Sequence, residues 1–150
     1  KAMDNAITLL MKRLIKDDYL DCLAGTITFS DDGCKLEERG GVYGIAVELA
    51  DDEKKDFFEK HNRNSSLSFN EWKPIDGNIY PLYWGKDSNL GFRLYDHMKS
   101  RKSTATLQLN SRKYLNSRKV IYGAILCKNI ANNEKLLREN YPDIFKNRKL

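Results

Sequence analysis

Three segments of the chain have the apolar patterning of β-strands. In residues 42–49, VYGIAVEL, the odd-numbered positions from Tyr43 to Leu49 share one side of a strand and the even-numbered positions share the other. Residues 79–85 form an apolar, aromatic run, and residues 120–127 are continuously apolar, which is typical of a buried strand. The three segments predict a small three-stranded antiparallel sheet.

Segments with helical periodicity lie beside these strands. Residues 4–16 have apolar side chains at the spacing of an amphipathic helix capped near Asp4. A second helix is predicted over residues 88–100, and a third over residues 132–140, which Pro142 ends. Helices flanking an antiparallel sheet predict a mixed α/β (α+β) fold.

A long insertion, residues 50–78, separates the first two predicted strands. Residues 50–60 are acidic and helix-prone, and residues 61–70 are rich in Asn and Ser, so we expect an exposed excursion. The excursion still allows the strands to pair, because the entropy cost of loop closure grows slowly with length. An amino-terminal extension, residues 1–40, contains a further short strand predicted at residues 23–29.

Length and composition indicate one domain over residues 1–150. No apolar run reaches the roughly 18 residues of a membrane span, and the start lacks a charged-then-apolar signal pattern, so we expect no membrane partner and a cytoplasmic location. The 3 cysteines lack metal-ligand spacing, which predicts reduced, structural thiols.

The net charge of +5 is distributed unevenly. Residues 1–85 contain 11 basic and 16 acidic side chains, whereas residues 86–150 contain 15 basic and 5 acidic ones. A basic surface of this kind concentrates nucleic acid, and its binding weakens steeply with salt because counterions are released. A solvated basic surface without a partner is the alternative that composition leaves open.

The second predicted strand leads into residues suited to binding a phosphate, in LYWGKDSNLGFRLYDH at residues 82–97. Arg93 and His97 are four positions apart and share one face of the predicted helix. Lys86 lies at the turn before that helix and Tyr83 on the strand. These spacings predict that the four side chains converge on one phosphate.

These motifs resemble the GIY-YIG nucleases, with GVY at residues 41–43, YWGK at residues 83–86, and Arg93 and His97 after them. The resemblance implies that both tripeptides lie on neighbouring antiparallel strands and that the arginine lies on the following helix. It also implies a glutamate on a later helix that holds one divalent metal ion. Glu134 is the residue at the matching place. The sequence that follows it, LLRENYPDIFKNR at residues 136–148, resembles the usual carboxy-terminal sequence of the family.

Phosphodiester hydrolysis needs charge neutralisation at phosphorus and help for the departing oxygen. Glu134 offers a hard oxygen ligand for a single Mg²⁺ or Mn²⁺ ion, since magnesium commonly accepts one or two carboxylates. Arg93 presents a planar fork matched to phosphate oxygens. His97 could hydrogen-bond the phosphate or pass a proton.

By the resemblance, Tyr43 would take the proton from the attacking water, and Tyr83 would position water or phosphate beside it. A free tyrosine has a pKa of about 10, so the base needs nearby positive charge to favour its phenolate. Lys86 is the predicted source of that charge.

The sequence therefore predicts a magnesium-dependent, restriction-like endonuclease that acts on double-stranded DNA. A homodimer would allow both strands to be cut. The alternatives are a nucleic-acid-binding module that keeps the fold without cutting, and an RNA-cleaving nuclease of toxin type. The residues predicted to contact nucleic acid are Lys86, Arg93, Lys99, Arg101, Lys102, Arg112, Lys113 and Asn147.

Overall fold

The structure is a computed structural model that describes residues 4–15, 21–26, 40–87 and 118–145. Within these ranges the chain forms a mixed α+β fold with three α-helices and one four-stranded antiparallel sheet. The helix predicted over residues 88–100 lies outside the described residues. In the described part of the chain, no helix is long and apolar enough to cross a bilayer.

The sheet has the strand order β1-β4-β2-β3. The strands are β1 (Asp21–Thr26), β2 (Gly41–Glu48), β3 (Ile79–Asp87) and β4 (Val120–Leu126). The last three are the predicted strands, with ends within two residues of the prediction. The prediction of a three-stranded sheet is wrong, because β1 pairs along the outer edge of β4. Since β4 is buried along its whole length, that edge needs a hydrogen-bonding partner.

The alternation predicted for β2 is confirmed. Its odd-numbered residues belong to one hydrophobic cluster, whereas Val42 and Ala46 belong to a second cluster on the opposite face. The helices α1 (Ala6–Leu14) and α3 (Ile130–Asn140) contribute to the second cluster. The insertion contributes to the first, so both faces of the sheet are buried.

The cap of α1 is Asn5, next to the predicted Asp4. The Asn5 side-chain oxygen accepts hydrogen bonds from the backbone N–H groups of Ile7 and Thr8. Its Nδ2 donates to the backbone oxygen of Tyr122 on β4 at 2.8 Å. The same residue therefore starts the helix and attaches it to the sheet.

The insertion is part of the core, which corrects the exposed excursion predicted for it. It contains the helix α2 (Lys54–His61) and a 3₁₀ turn (Phe69–Glu71). Phe57 stacks on Trp72 with ring centres 6.2 Å apart, and both rings are buried. Trp72 Nε1 donates to the backbone oxygen of Pro81 on β3 at 2.8 Å. The aromatic residues placed among the charged ones thus anchor the insertion on the sheet.

The outer edge of β3 is covered by the chain that follows α3. The backbone N–H of Phe145 donates to the oxygen of Leu82 at 3.0 Å, and that of Trp84 donates to Oδ2 of Asp143 at 2.6 Å. Asn64 in the insertion donates from Nδ2 to the backbone oxygen of Asp143 at 3.0 Å. Backbone groups on this edge of the sheet therefore find hydrogen-bond partners without a further strand. The same segment after α3 is joined to the insertion.

Candidate active site

Tyr43 lies directly over Gly85. The two residues are opposite each other in the register of β2 and β3. A β-carbon at Gly85 would come within 2.4 Å of both Cζ and Oη of Tyr43. Only glycine leaves room for the phenol at this place, which is a physical reason for the glycine after Tyr83 and Trp84.

Tyr83 lies on the same face as Tyr43, and a β-bulge in β3 lies next to it. Ile45 lies opposite Tyr83, whereas the next residue of β2 lies opposite Pro81, so Leu82 is the extra residue. A bulge breaks the strict alternation of a strand, and both Leu82 and Tyr83 belong to the cluster that contains Tyr43. The ring centres of Tyr43 and Tyr83 are 6.1 Å apart. Tyr83 lies two residues before Gly85, the partner of Tyr43, so strand alternation places the two motif tyrosines on one face, and the bulge adds Leu82 to that face.

Both motif tyrosines are buried, since Tyr43 is 0% and Tyr83 2% exposed. Tyr80 belongs to the same cluster, and burial together with the charge of Asp51 raises its pKa. A base that deprotonates water must touch that water. With no exposed surface, Tyr43 has the environment of a packing side chain, and a role as the base requires that its hydroxyl reach water.

Lys86 lies within β3 and not at the turn where the sequence predicted it. It lies opposite Val42, one residue beyond the pair formed by Tyr43 and Gly85. Successive side chains of a strand point to opposite faces, and Val42 belongs to the cluster under α1 and α3. On this register Lys86, which is exposed, is not the cation predicted beside the Tyr43 phenol.

Glu134 is largely enclosed, with a side chain that is 18% exposed. It lies in α3 one turn before Arg138, and its Oε2 is 4.0 Å from Nη2 of that residue. No described residue donates a hydrogen bond to the Glu134 carboxylate. Among the described residues, its ionic partner is the Arg138 guanidinium.

Arg138 is the residue of this site that sequence reasoning missed. Its Cζ lies 5.2 Å from the ring centre of Tyr83. Its Nη1 is 3.1 Å from Oδ2 of Asp143, and its Nη2 donates to the backbone oxygen of Trp84. The only sequence signal for it was its position four residues after Glu134, on the same helical face.

A cavity of about 370 Å³ adjoins the Glu134 carboxylate. Glu134 and Arg138 line it from α3, and Asn64 and Glu71 line it from the insertion. The pKa of Glu71 is lowered by a hydrogen bond from the backbone N–H of Ser68 and, to a smaller extent, by one from the Ser68 hydroxyl. The insertion thus borders the candidate metal ligand.

A magnesium site at Glu134 would use one protein carboxylate. The described residues contain no group of three or more His, Cys, Asp or Glu side chains that could hold a metal ion. Magnesium keeps several waters and takes one or two carboxylates, so a single, partly enclosed carboxylate without a hydrogen-bond donor fits its chemistry. A structural zinc site, which needs four protein ligands, does not fit the described residues.

The remaining predicted site residues lie outside the described residues. They are Arg93, His97, Lys99, Arg101, Lys102, Arg112, Lys113 and Asn147. Of the six predicted catalytic side chains, Tyr43, Tyr83 and Glu134 are therefore linked by contacts through Arg138, and Lys86 is directed away from them.

Comparison of the chain with protein-family models, with curated proteins and with solved structures found no match.

Proposed function

We propose that this protein is a metal-dependent endonuclease that hydrolyses phosphodiester bonds of double-stranded DNA, in the manner of the GIY-YIG nucleases that its motifs resemble. One series of contacts carries the proposal. The ring centres of Tyr43 and Tyr83 are 6.1 Å apart, and Cζ of Arg138 is 5.2 Å from the ring centre of Tyr83. Nη2 of Arg138 is in turn 4.0 Å from Oε2 of Glu134. Residues from β2, β3 and α3 are thus joined by one series of contacts, which supports the proposal.

In this proposal the Glu134 carboxylate holds a single Mg²⁺ or Mn²⁺ ion. When bound, the ion supplies positive charge where negative charge accumulates around phosphorus. Tyr43 accepts the proton of the attacking water at Oη, and Tyr83 orients water or phosphate. Arg93 binds phosphate oxygens through its planar fork, and His97 hydrogen-bonds the phosphate or passes a proton to the departing oxygen.

Double-stranded DNA is the proposed substrate because the carboxy-terminal part of the chain is strongly basic. Residues 86–150 carry 15 basic and 5 acidic side chains. Each phosphate that they neutralise releases counterions, so the affinity for DNA should fall steeply as salt is raised.

The test incubates the purified protein with supercoiled plasmid, with Mg²⁺, with Mn²⁺ and with a chelator. We expect nicked and linear products only with the metal ions, and none from Glu134→Gln. The matched control is Glu139→Gln, which removes an exposed carboxylate from the same helix and the same cavity and should cut normally. Cutting in the presence of chelator, or normal cutting by Glu134→Gln, would refute the mechanism.

A nucleic-acid-binding module of the same fold that does not cut is the second candidate. The burial of Tyr43 favours it, because a fully enclosed phenol is typical of packing. Such a module would shift plasmid in a gel with a steep salt dependence and leave it supercoiled with either metal ion. Nicking that depends on Glu134 excludes it.

A further inference from the structure

We propose that Arg138 is a positioning residue of the site. It holds the Glu134 carboxylate at a fixed position relative to β3, the strand that carries Tyr83. The proposal rests on the proposed function, because it assumes that Glu134 binds the metal ion. Arg138 takes the place beside the motif tyrosines that the sequence assigned to Lys86.

The guanidinium of Arg138 contacts four groups at once. Nη1 is 3.1 Å from Oδ2 and 3.2 Å from Oδ1 of Asp143, a carboxylate with no exposed surface. Nη2 donates to the backbone oxygen of Trp84 and is 4.0 Å from Oε2 of Glu134. The cation also lies against the ring of Tyr83. One side chain therefore ties α3, β3 and the segment after α3 together.

These contacts are possible because β3 is an edge strand. Leu137, on α3, packs with Trp84 on one face of the sheet, whereas Tyr83 packs on the other face. A side chain from α3 can reach a ring on the far face only by passing around an edge that no further strand covers. The backbone oxygen of Trp84, which accepts a hydrogen bond from Nη2 of Arg138, lies on this edge. Beside it is the backbone N–H of Trp84, which donates to Asp143.

Arginine is suited to this place and lysine is not. The planar guanidinium donates in several directions within one plane while its face rests on an aromatic ring. An ammonium group has the charge and three donors but lacks the planar fork, so it could not keep all of these contacts together with the stacking on the ring. The geometry thus distinguishes Arg138 from a cation that serves only to balance charge.

The test compares Arg138→Ala and Arg138→Lys with wild type in two measurements, Mn²⁺ binding by calorimetry and plasmid nicking. Groups that orient a metal ligand typically contribute about 10- to 100-fold in metal affinity or activity. We expect a loss in that range for Arg138→Ala, in Mn²⁺ affinity as well as in nicking, and a partial recovery in Arg138→Lys.

The matched control is Arg118→Ala. Arg118 also pairs with a carboxylate, Glu53, and lies 5.5 Å from the ring centre of Phe57, and its described contacts include none of Tyr43, Tyr83 and Glu134. We expect it to lower the melting temperature and to leave Mn²⁺ affinity unchanged. If Arg138→Ala does not fold, the comparison of Arg138→Lys with Arg118→Lys decides in the same way.

Three results would overturn the proposal. Wild-type Mn²⁺ affinity and nicking in a folded Arg138→Ala would leave Arg138 a purely structural residue while the nuclease assignment stands. Tighter Mn²⁺ binding in that variant would mean that Arg138 only competes with the ion for Glu134. Absence of both Mn²⁺ binding and nicking in the wild type would refute the proposed function itself, and the positioning role with it.

Discussion

Replacing Asp143 by alanine removes a buried carboxylate that joins the edge of the sheet to Arg138. Oδ2 of Asp143 accepts the backbone N–H of Trp84 at 2.6 Å, and Oδ1 accepts Nη1 of Arg138 at 3.2 Å. The Asp143 side chain has no exposed surface, whereas that of Arg138 is 23% exposed. The variant therefore leaves one buried donor without its partner and removes the nearer of the two carboxylates beside the Arg138 guanidinium, so that only Glu134 at 4.0 Å remains among the described residues.

The expected cost follows from these two losses. A buried N–H left without an acceptor costs about 1–3 kcal/mol, and a lost hydrogen bond to a charged group costs about 1.5–3 kcal/mol. Removing one partner of a buried ion pair costs about 3–5 kcal/mol. Because Arg138 retains contact with water, we expect a loss near the lower limit, about 3 kcal/mol. This is a large part of the roughly 5–15 kcal/mol that stabilise a typical domain.

Urea denaturation followed by tryptophan fluorescence measures this loss, since Trp84 lies beside the substituted residue. Asp143→Asn keeps an acceptor for the Trp84 N–H and should lose less than Asp143→Ala. Glu59→Ala, which removes an exposed carboxylate from α2, should change the free energy of unfolding by less than about 0.5 kcal/mol. A loss below about 1 kcal/mol for Asp143→Ala would contradict the reasoning, because it would mean that the edge of β3 does not depend on this carboxylate.

Two further substitutions test the tyrosine pair. Tyr43→Phe should reduce the nicking rate by about 100-fold or more, which is the contribution expected of a general base, and should leave the affinity for DNA in a gel shift unchanged. An unimpaired variant would assign the base to another residue, with His97 the next candidate. Gly85→Ala should destabilise the fold by about 1–3 kcal/mol, because the added β-carbon lies 2.4 Å from the buried phenol of Tyr43. An unchanged melting temperature in Gly85→Ala would mean that the ring has room to move.

The sequence was sufficient for the central strands because their patterns are local. Alternation along β2 separates the two clusters, and the two motif tripeptides fall on neighbouring antiparallel strands. The insertion was wrongly assigned to the surface because its acidic and Asn-rich composition outweighed a few aromatic residues. Phe57 and Trp72 belong to a core that the average composition of the segment conceals.

The candidate site was less predictable because it depends on pairing and on edges. That Leu82 and Tyr83 contribute to the same face is decided by a bulge, a property of the register between two strands that a single segment does not encode. The contacts of Arg138 with Trp84 and Tyr83 depend on α3 lying beside a sheet edge that no further strand covers, which no local spacing indicates.

The position of Lys86 could have been deduced, and it explains why a cation is needed elsewhere. If Tyr43 and Gly85 face each other across β2 and β3, strand alternation directs the next residue, Lys86, to the opposite face. The positive charge that the proposed mechanism places beside the two tyrosines must then come from outside their strands. Arg138 meets that requirement from α3, and the helix that supplies the candidate metal ligand therefore also supplies the charge next to Tyr83.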